Sequence, residues 1–204
     1  MRSTEQFVGI KVGGFCPRHH INIIIERKSA MSDILEVIKT RRSVRKYKSD
    51  MVPAEIIDKI IEAGTYAATG KDRQSPIILA VTDKELRDKL SKMNSRIMGK
   101  SEDFDPFYGA PVVLVVLADK SMPTYIYDGT LVMGNLMLEA HALGVDSCWI
   151  HRAKEEFESE EGREILKSLG IEGDYEGIGH CILGYVDGEE PQCHPRKDNW
   201  VYRA

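Results

Sequence analysis

The chain has 204 residues, of which 42% are hydrophobic and 29% charged, and its formal net charge at pH 7 is −4. A chain of this length fits one domain, and its apolar fraction excludes wholesale disorder. The acidic balance argues against a general nucleic-acid binder, because proteins that follow the phosphate backbone carry a basic excess. The four cysteines form no CxxC pair. They therefore indicate neither a zinc module nor a disulfide scaffold, and we expect a reducing, cytoplasmic compartment.

No apolar run approaches the roughly 18 residues that a membrane span needs, so we expect no membrane partner. The longest dense run, residues 111–118, has the length of a buried strand. Near the N-terminus, Lys11 interrupts an apolar stretch and no small-residue cleavage site follows, which argues against a secretory signal. We expect residues 1–30 to be an extension upstream of a domain at 31–204 that opens at Met31. The alternative is a genuine additional element, with a small strand at residues 21–25.

Helices and strands alternate along the predicted domain. Asp33 and Glu36 form a capping pair ahead of a helix that reaches about Thr40, and Pro53 begins a second helix that ends at Gly64. Further helices are predicted at 86–93, 130–143 and 160–169, and strands at 77–82, 112–118, 145–150 and 178–186. The strands are too apolar to leave one face in water, so we expect helices to cover both faces of the sheet.

A cluster of arginines is the first candidate for ligand binding. The sequence has no GxGxxG after a strand and no GxxxxGK[ST], which leaves neither a Rossmann nor a P-loop phosphate site. Three guanidiniums and a hydroxyl lie within five residues instead, at Arg41, Arg42, Ser43 and Arg45. Their forked donors suit a phosphate dianion, although cations at a helix end are also commonly solvated. Arg196 and Lys197 in the C-terminal tail either complete this phosphate clamp or only add solubility.

Three further segments could contribute to a site. The polar loop at residues 67–76 leads into a buried strand and can present backbone and amide groups to a ligand. His151 follows a strand end, where ligands of α/β proteins gather, and is either a general acid or a surface residue. The aromatic run at residues 104–108, with Tyr125 and Tyr127, forms either a pocket wall or ordinary packing. Cys148 and Cys181 lie in apolar runs and are predicted to be inert core.

Taken in order, five motifs resemble the FMN-dependent nitroreductase superfamily over about residues 31–200. They are Arg-Arg-Ser-Val-Arg at 41–45, Thr-Gly-x-x-x-Gln-Ser at 69–75, Gly-Asn-Leu-Met-Leu-Glu-Ala at 134–140, Ser-Cys-Trp-Ile at 147–150, and Leu-Gly-Tyr at 183–185 with Pro-Arg-Lys at 195–197. The resemblance implies an α+β fold with a mixed, mostly antiparallel sheet flanked by helices. It also implies a homodimer with FMN at the subunit interface.

The resemblance assigns roles to particular residues. It implies that Arg41, Arg42, Ser43 and Arg45 hold the FMN phosphate and ribityl chain, and that Arg196 and Lys197 close over the phosphate. The loop with Asp72 and Gln74 would approach the isoalloxazine from the partner subunit. The backbone of Ile150, His151 and Arg152 would lie near the reactive face of the ring. Asp72 departs from the family, which more often has Asn at this position.

The chemistry that the resemblance implies is a ping-pong transfer of electrons from NADH or NADPH, through FMN, to a nitroaromatic, quinone or similar small-molecule acceptor. Because the cofactor performs the difficult step, we nominate no catalytic side chain. Two alternatives stay open. One is a flavin enzyme of the same fold with other chemistry, such as a reductive dehalogenase or a flavin-consuming synthase. The other is a flavin-binding or redox-sensing protein without steady turnover.

Overall fold

The computed structural model describes residues 34–204, and Val37–Ala204 form one compact unit. The predicted extension at 1–30, its alternative strand and the capping residue Asp33 lie outside the described residues. Residues 34–40 are helical (α1), and the later helices are α2 (Ala54–Thr65), α3 (Lys84–Ile97), α4 (Tyr125–Ala142), α5 (Ala153–Glu158) and α6 (Glu160–Ser168). The strands are β1 (Pro76–Val81), β2 (Val112–Asp119), β3 (Asp146–Ile150) and β4 (Tyr175–Gly184). In this part of the chain, no helix is long and apolar enough to cross a membrane.

The four strands form one sheet in the order β1-β2-β4-β3. All three strand pairings are antiparallel, and β3 is an edge strand that pairs with β4 from Asp146↔Gly184 to Ile150↔His180. A parallel contribution comes from an isolated bridge between Ser43 and Ser147, which seats the segment after α1 against β3. The predicted α+β fold class is confirmed.

Helices cover both faces of the sheet, as predicted, and β2 shows why. Its side chains alternate between two core clusters, with Val113, Val115 and Leu117 on one face and Val112, Leu114 and Val116 on the other. The first cluster contains apolar side chains of α3, α5 and α6, and the second contains those of α2 and α4. Every residue of β2 from Val112 to Ala118 is buried, which explains its uninterrupted apolar sequence.

Several elements differ from the prediction. Helix α4 begins at Tyr125 rather than at residue 130, and its first turn carries the exposed side chains of Ile126 and Tyr127. Helix α5 has six residues, too few to show a helical period, and was not predicted. Strand β4 begins at Tyr175 rather than at residue 178. Gly177 occurs inside it because a Cβ there would lie 2.2 Å from the Ala153 carbonyl oxygen, so the close approach of α5 requires a glycine.

Candidate functional site

A cavity of about 580 Å³, here called the basic cavity, lies between the segment after α1 and the C-terminal tail. Its lining residues are Ile38, Lys39, Arg41, Arg42, Ser43, Cys193, His194, Pro195 and Arg196. The structure therefore brings together four of the predicted phosphate ligands, Arg41, Arg42, Ser43 and Arg196, although they lie at opposite ends of the described chain. Three guanidiniums and a hydroxyl around one cavity suit an anionic ligand.

The segment after α1 is fixed by the edge strand of the sheet. The Val44 amide donates to the Ser147 carbonyl at 3.1 Å. The side chains of Val44 and Tyr47 are buried in the core, and the Tyr47 hydroxyl donates to the Val44 carbonyl at 3.0 Å. Burial strongly raises the pKa of Tyr47, so this hydroxyl stays protonated as a donor. The arginines and Ser43 are thus presented from a backbone that β3 and the core hold in place.

The three arginines of the basic cavity differ in the hydrogen bonds that their guanidinium groups already make within the protein. One guanidinium nitrogen of Arg42 (Nη1) donates to the Lys39 and Arg41 carbonyls, at 2.6 Å each. Arg196 donates to the His194 carbonyl at 3.0 Å and contacts the Cys193 sulfur at 3.7 Å. By contrast, Nη1 of Arg41 is buried and has no hydrogen-bond partner within residues 34–204. A buried donor without an acceptor is costly, so Arg41 fits an anionic group bound in this cavity.

A second cavity, of about 270 Å³, lies where β3 ends. Its lining residues are Arg45, Asn94, Met98, Pro106, Tyr108, Trp149, Ile150, His151 and Arg152. Arg45 thus lines this second cavity and not the basic cavity that its neighbours Arg41 to Ser43 line. The predicted strand-end residues Ile150, His151 and Arg152 do lie together.

Two contacts hold the strand end in shape. The Asn94 side-chain amide donates to the His151 carbonyl at 2.8 Å. Arg152 has a φ of 81°, an uncommon conformation for a residue other than glycine, and its guanidinium donates to Glu155 at 2.8 Å. Arg152 thereby turns the chain from β3 into α5. Asn94 was not predicted, because it lies on α3, far from β3 in sequence.

A buried histidine–glutamate pair lies behind this strand end. His180 Nε2 is 2.8 Å from Glu156 Oε2, and His180 Nδ1 is 3.3 Å from the Ile150 carbonyl oxygen. Both side chains are fully buried. The two contacts, one on each ring nitrogen, fix the orientation of the imidazole. The pair supports the Ile150 carbonyl. It was not predicted, although a histidine within an apolar strand is a visible signal.

The predicted polar loop contains a single turn of 3₁₀ helix at Gly70–Asp72. Lys71, Asp72 and Gln74 have positive φ values of 55°, 53° and 50°. Such residues cost about 1–3 kcal/mol each and persist where the surroundings impose them. The side chains of Asp72 and Gln74 are exposed, and Gln74 Nε2 donates to Asp72 Oδ1 at 3.4 Å. Gln74 lines a third cavity, of about 300 Å³, beside α2 and β1, so the loop does not line the basic cavity of its own chain.

The carboxylate of Asp128 on α4 anchors this loop. Asp128 is only 3% exposed and accepts from the Gly70 amide at 3.0 Å, the Ser75 hydroxyl at 3.2 Å and the Thr124 hydroxyl at 3.0 Å. Sequence reasoning did not assign this role to Asp128, because the partners in the loop lie 58 and 53 residues away. The local signal in the sequence was an acidic residue within an otherwise apolar helix.

The remaining candidates have diverse environments. Phe107 is fully buried in the core, whereas Tyr108 lines the second cavity. The Tyr125 hydroxyl donates to Glu176 at 3.1 Å, and Tyr127 is 72% exposed. The aromatic residues therefore do not form a single pocket wall, because Phe107 packs in the core and Tyr125 and Tyr127 belong to the first turn of α4.

The cysteines in the apolar runs are inert core, as predicted. Cys148 and Cys181 are buried, and burial raises the pKa of both thiols, that of Cys181 to about 12. In the tail, Lys197 lies over the Trp200 ring at 4.9 Å and does not line the basic cavity. Residues 34–204 contain no group of side chains that could hold a metal ion.

The structure is that of an α+β protein with a cavity lined by three arginines and a serine. A sequence model described as "Nitroreductase family" matches residues 38–185, so the chain belongs to the nitroreductase family. The chain is also 30% identical, over 138 residues, to a protein of Methanothermobacter thermautotrophicus named "Putative NADH dehydrogenase/NAD(P)H nitroreductase". That match covers 63% of this chain and 66% of the relative, just under two thirds of its length.

Solved structures of nitroreductases share the fold. A nitroreductase with bound FMN from Bacteroides fragilis superposes with a TM-score of 0.76 at 29% identity, and the match covers 84% of this chain and 98% of that one. A second FMN-bound nitroreductase, from Desulfitobacterium hafniense, gives a TM-score of 0.74 at 27% identity with the same coverage. The resemblance inferred from the five motifs is confirmed.

Proposed function

We propose that the protein is an FMN-dependent oxidoreductase that binds the FMN phosphate in the basic cavity. The observation that carries the proposal is the buried Nη1 of Arg41, a donor without an acceptor in the described chain, at a cavity that Ser43 and Arg196 also line. A phosphate would supply that acceptor with full negative charge. FMN is bound in related nitroreductases of known structure, which supports the same ligand here.

Different residues of the chain would contact different parts of the cofactor. Arg41, Arg42, Ser43 and Arg196 would hold the phosphate, with Lys197 close by in the tail. Arg45, which lines the second cavity, would contact the ribityl chain. The backbone of Ile150, His151 and Arg152, which line the same cavity, would lie near the isoalloxazine. When bound, FMN supplies ping-pong transfer of electrons from NADH or NADPH to a nitroaromatic, quinone or similar small acceptor. The protein contributes binding, orientation and shelter from water.

We further propose that the site is completed by a second copy of the chain. Asp72 and Gln74 lie outside the basic cavity of their own chain, so a flavin that touches both sets of residues would need two subunits. The start of α4 supports a subunit interface, because Ile126, Tyr127 and Leu131 are large apolar side chains that stay exposed. A homodimer would bury them.

The phosphate assignment is tested by comparing FMN with riboflavin, which lacks the phosphate. Hydrogen bonds to charged groups contribute about 1.5–3 kcal/mol each, so Arg41→Ala should weaken FMN binding roughly tenfold to a hundredfold. Riboflavin binding should be nearly unchanged. Both dissociation constants can be measured by quenching of flavin fluorescence.

A matched control removes an arginine elsewhere. Arg96 on α3 is held by Glu161 at 2.6 Å and does not line the basic cavity. Arg96→Ala makes the same change of charge and should leave the affinity for both flavins unchanged. Equal losses of FMN and riboflavin in Arg41→Ala would refute the phosphate assignment.

A further inference from the structure

The buried carboxylate of Asp128 joins helix α4 to the loop that precedes β1. Of its three donors, the Gly70 amide and the Ser75 hydroxyl belong to the loop, on either side of Asp72 and Gln74. The third, the Thr124 hydroxyl, comes from the residue just before α4. One buried side chain therefore ties both ends of the loop to the start of a core helix.

The loop needs such an anchor, because its conformation is unfavourable by itself. Lys71, Asp72 and Gln74 all have φ near +50°, where residues with side chains are strained. The loop also sits very close to α4. A Cβ on Gly70 would lie 2.2 Å from the Thr124 hydroxyl oxygen, so only glycine permits this approach. The hydrogen bonds from Gly70 and Ser75 to Asp128 can offset this strain.

We propose that Asp128 is a positioning residue of the flavin site, one that fixes the loop conformation in which Asp72 and Gln74 meet the isoalloxazine. The inference rests on the proposed function, since it takes that loop to contact the ring. Asp128 itself is buried and would not touch the cofactor. Its contribution would be to order the loop before the flavin binds, which removes an entropic cost from binding.

The first test needs no flavin. Lys71 and Arg73 are exposed trypsin sites within the loop, and proteolysis follows the population of open conformations. Loss of the charge-assisted bonds in Asp128→Ala should raise the initial rate of cleavage at these two residues about tenfold. Asp128→Asn should retain the slow cleavage, because its oxygen still accepts from Gly70 and its amide can donate to the Ser75 and Thr124 hydroxyls.

Glu176 provides a matched control. It is another nearly buried carboxylate that accepts from α4, through the Tyr125 hydroxyl, and from Lys154 at 3.0 Å, but it has no bond to the loop. Glu176→Ala should leave cleavage at Lys71 and Arg73 at the wild-type rate. If Asp128→Ala does not fold, Ser75→Ala removes one loop donor and should give a smaller increase in the same direction.

The second test uses the flavins. Because the loop would contact the ring that FMN and riboflavin share, Asp128→Ala should weaken both about tenfold and leave their ratio of affinities unchanged. Arg41→Ala should change that ratio. Wild-type cleavage rates and flavin affinities in Asp128→Ala would overturn the inference while the flavin site stands. Failure of the wild-type protein to bind FMN would instead refute the proposed function.

Discussion

Removal of His180 should destabilise the protein far more than neutralisation of its partner, Glu156. In His180→Ala, the Glu156 side chain loses its partner at a fully buried position, and its other oxygen, Oε1, already lacks a partner in the described chain. Breaking a buried pair in this way costs about 3–5 kcal/mol. For a chain of this size, that loss corresponds to a melting temperature lower by roughly 6–20 °C.

Replacing Glu156 with glutamine should cost much less. The glutamine amide can donate to His180 Nε2, which leaves Nδ1–H free to donate to the Ile150 carbonyl 3.3 Å away. Every polar contact of the imidazole is then satisfied without a buried charge. We expect a loss of about 0.5–1.5 kcal/mol, the net value of one ordinary hydrogen bond.

The double variant, His180→Ala with Glu156→Gln, distinguishes the cost of leaving Glu156 without its partner from the cost of the cavity that the missing imidazole leaves. Loss of packing, including the contact with the Phe107 ring at 5.2 Å, is the same in both backgrounds. His180→Ala should therefore cost less when residue 156 is glutamine, with a coupling energy of about 1–3 kcal/mol. Urea unfolding of the four proteins measures it. A coupling energy below about 0.5 kcal/mol would refute the buried-pair reasoning.

Three other predictions follow from the site and its surroundings. Burial by itself would raise the pKa of Asp105. The Arg87 guanidinium and the Ser91 hydroxyl nevertheless hold this pKa below its usual value. The stability from Asp105 is thus present above about pH 4 and lost as the pH falls through its folded pKa, so Asp105→Asn should flatten the acid side of unfolding curves measured against pH. Asp72→Asn removes a carboxylate that would disfavour electron gain, and redox titration should show the bound flavin's potential raised by about 30 mV, equivalent to 1.4 kcal/mol; an unchanged potential with unchanged FMN affinity would place Asp72 in water. Finally, dilution should release flavin and dissociate the dimer together in sedimentation, and a folded monomer that keeps one FMN per chain would contradict the shared site.

Short-range sequence patterns, such as apolar runs and helical apolar periods, predicted most of the helices and strands. The run at residues 111–118 contains the fully buried part of β2, residues 112–118, and the apolar periods of α2 and α6 place both helices as expected. Segments without such a signal were missed. Helix α5 is six residues long, and the first turn of α4 lacks a capping bond. These boundaries depend on tertiary packing, which periodicity does not report.

The residues of the candidate site were likewise predicted only in part. The arginines and Ser43 around the basic cavity were predicted, because they form a dense motif and the resemblance joins them to Arg196. Asp128 was not assigned, since the two loop groups that it binds lie more than 50 residues away. The separation of Arg45 from the basic cavity was also invisible in sequence, where Arg45 lies only four positions after Arg41. Contacts of this kind appear only when the chain is folded.

The most direct test of the central claim is the visible absorption spectrum of the full chain, saturated with FMN and then mixed with NADH or NADPH without oxygen. We expect a bound flavin spectrum whose absorption is lost on addition of at least one nucleotide and restored by a nitroaromatic or quinone. A protein that binds no FMN, or whose bound FMN is reduced by neither nucleotide, would contradict it.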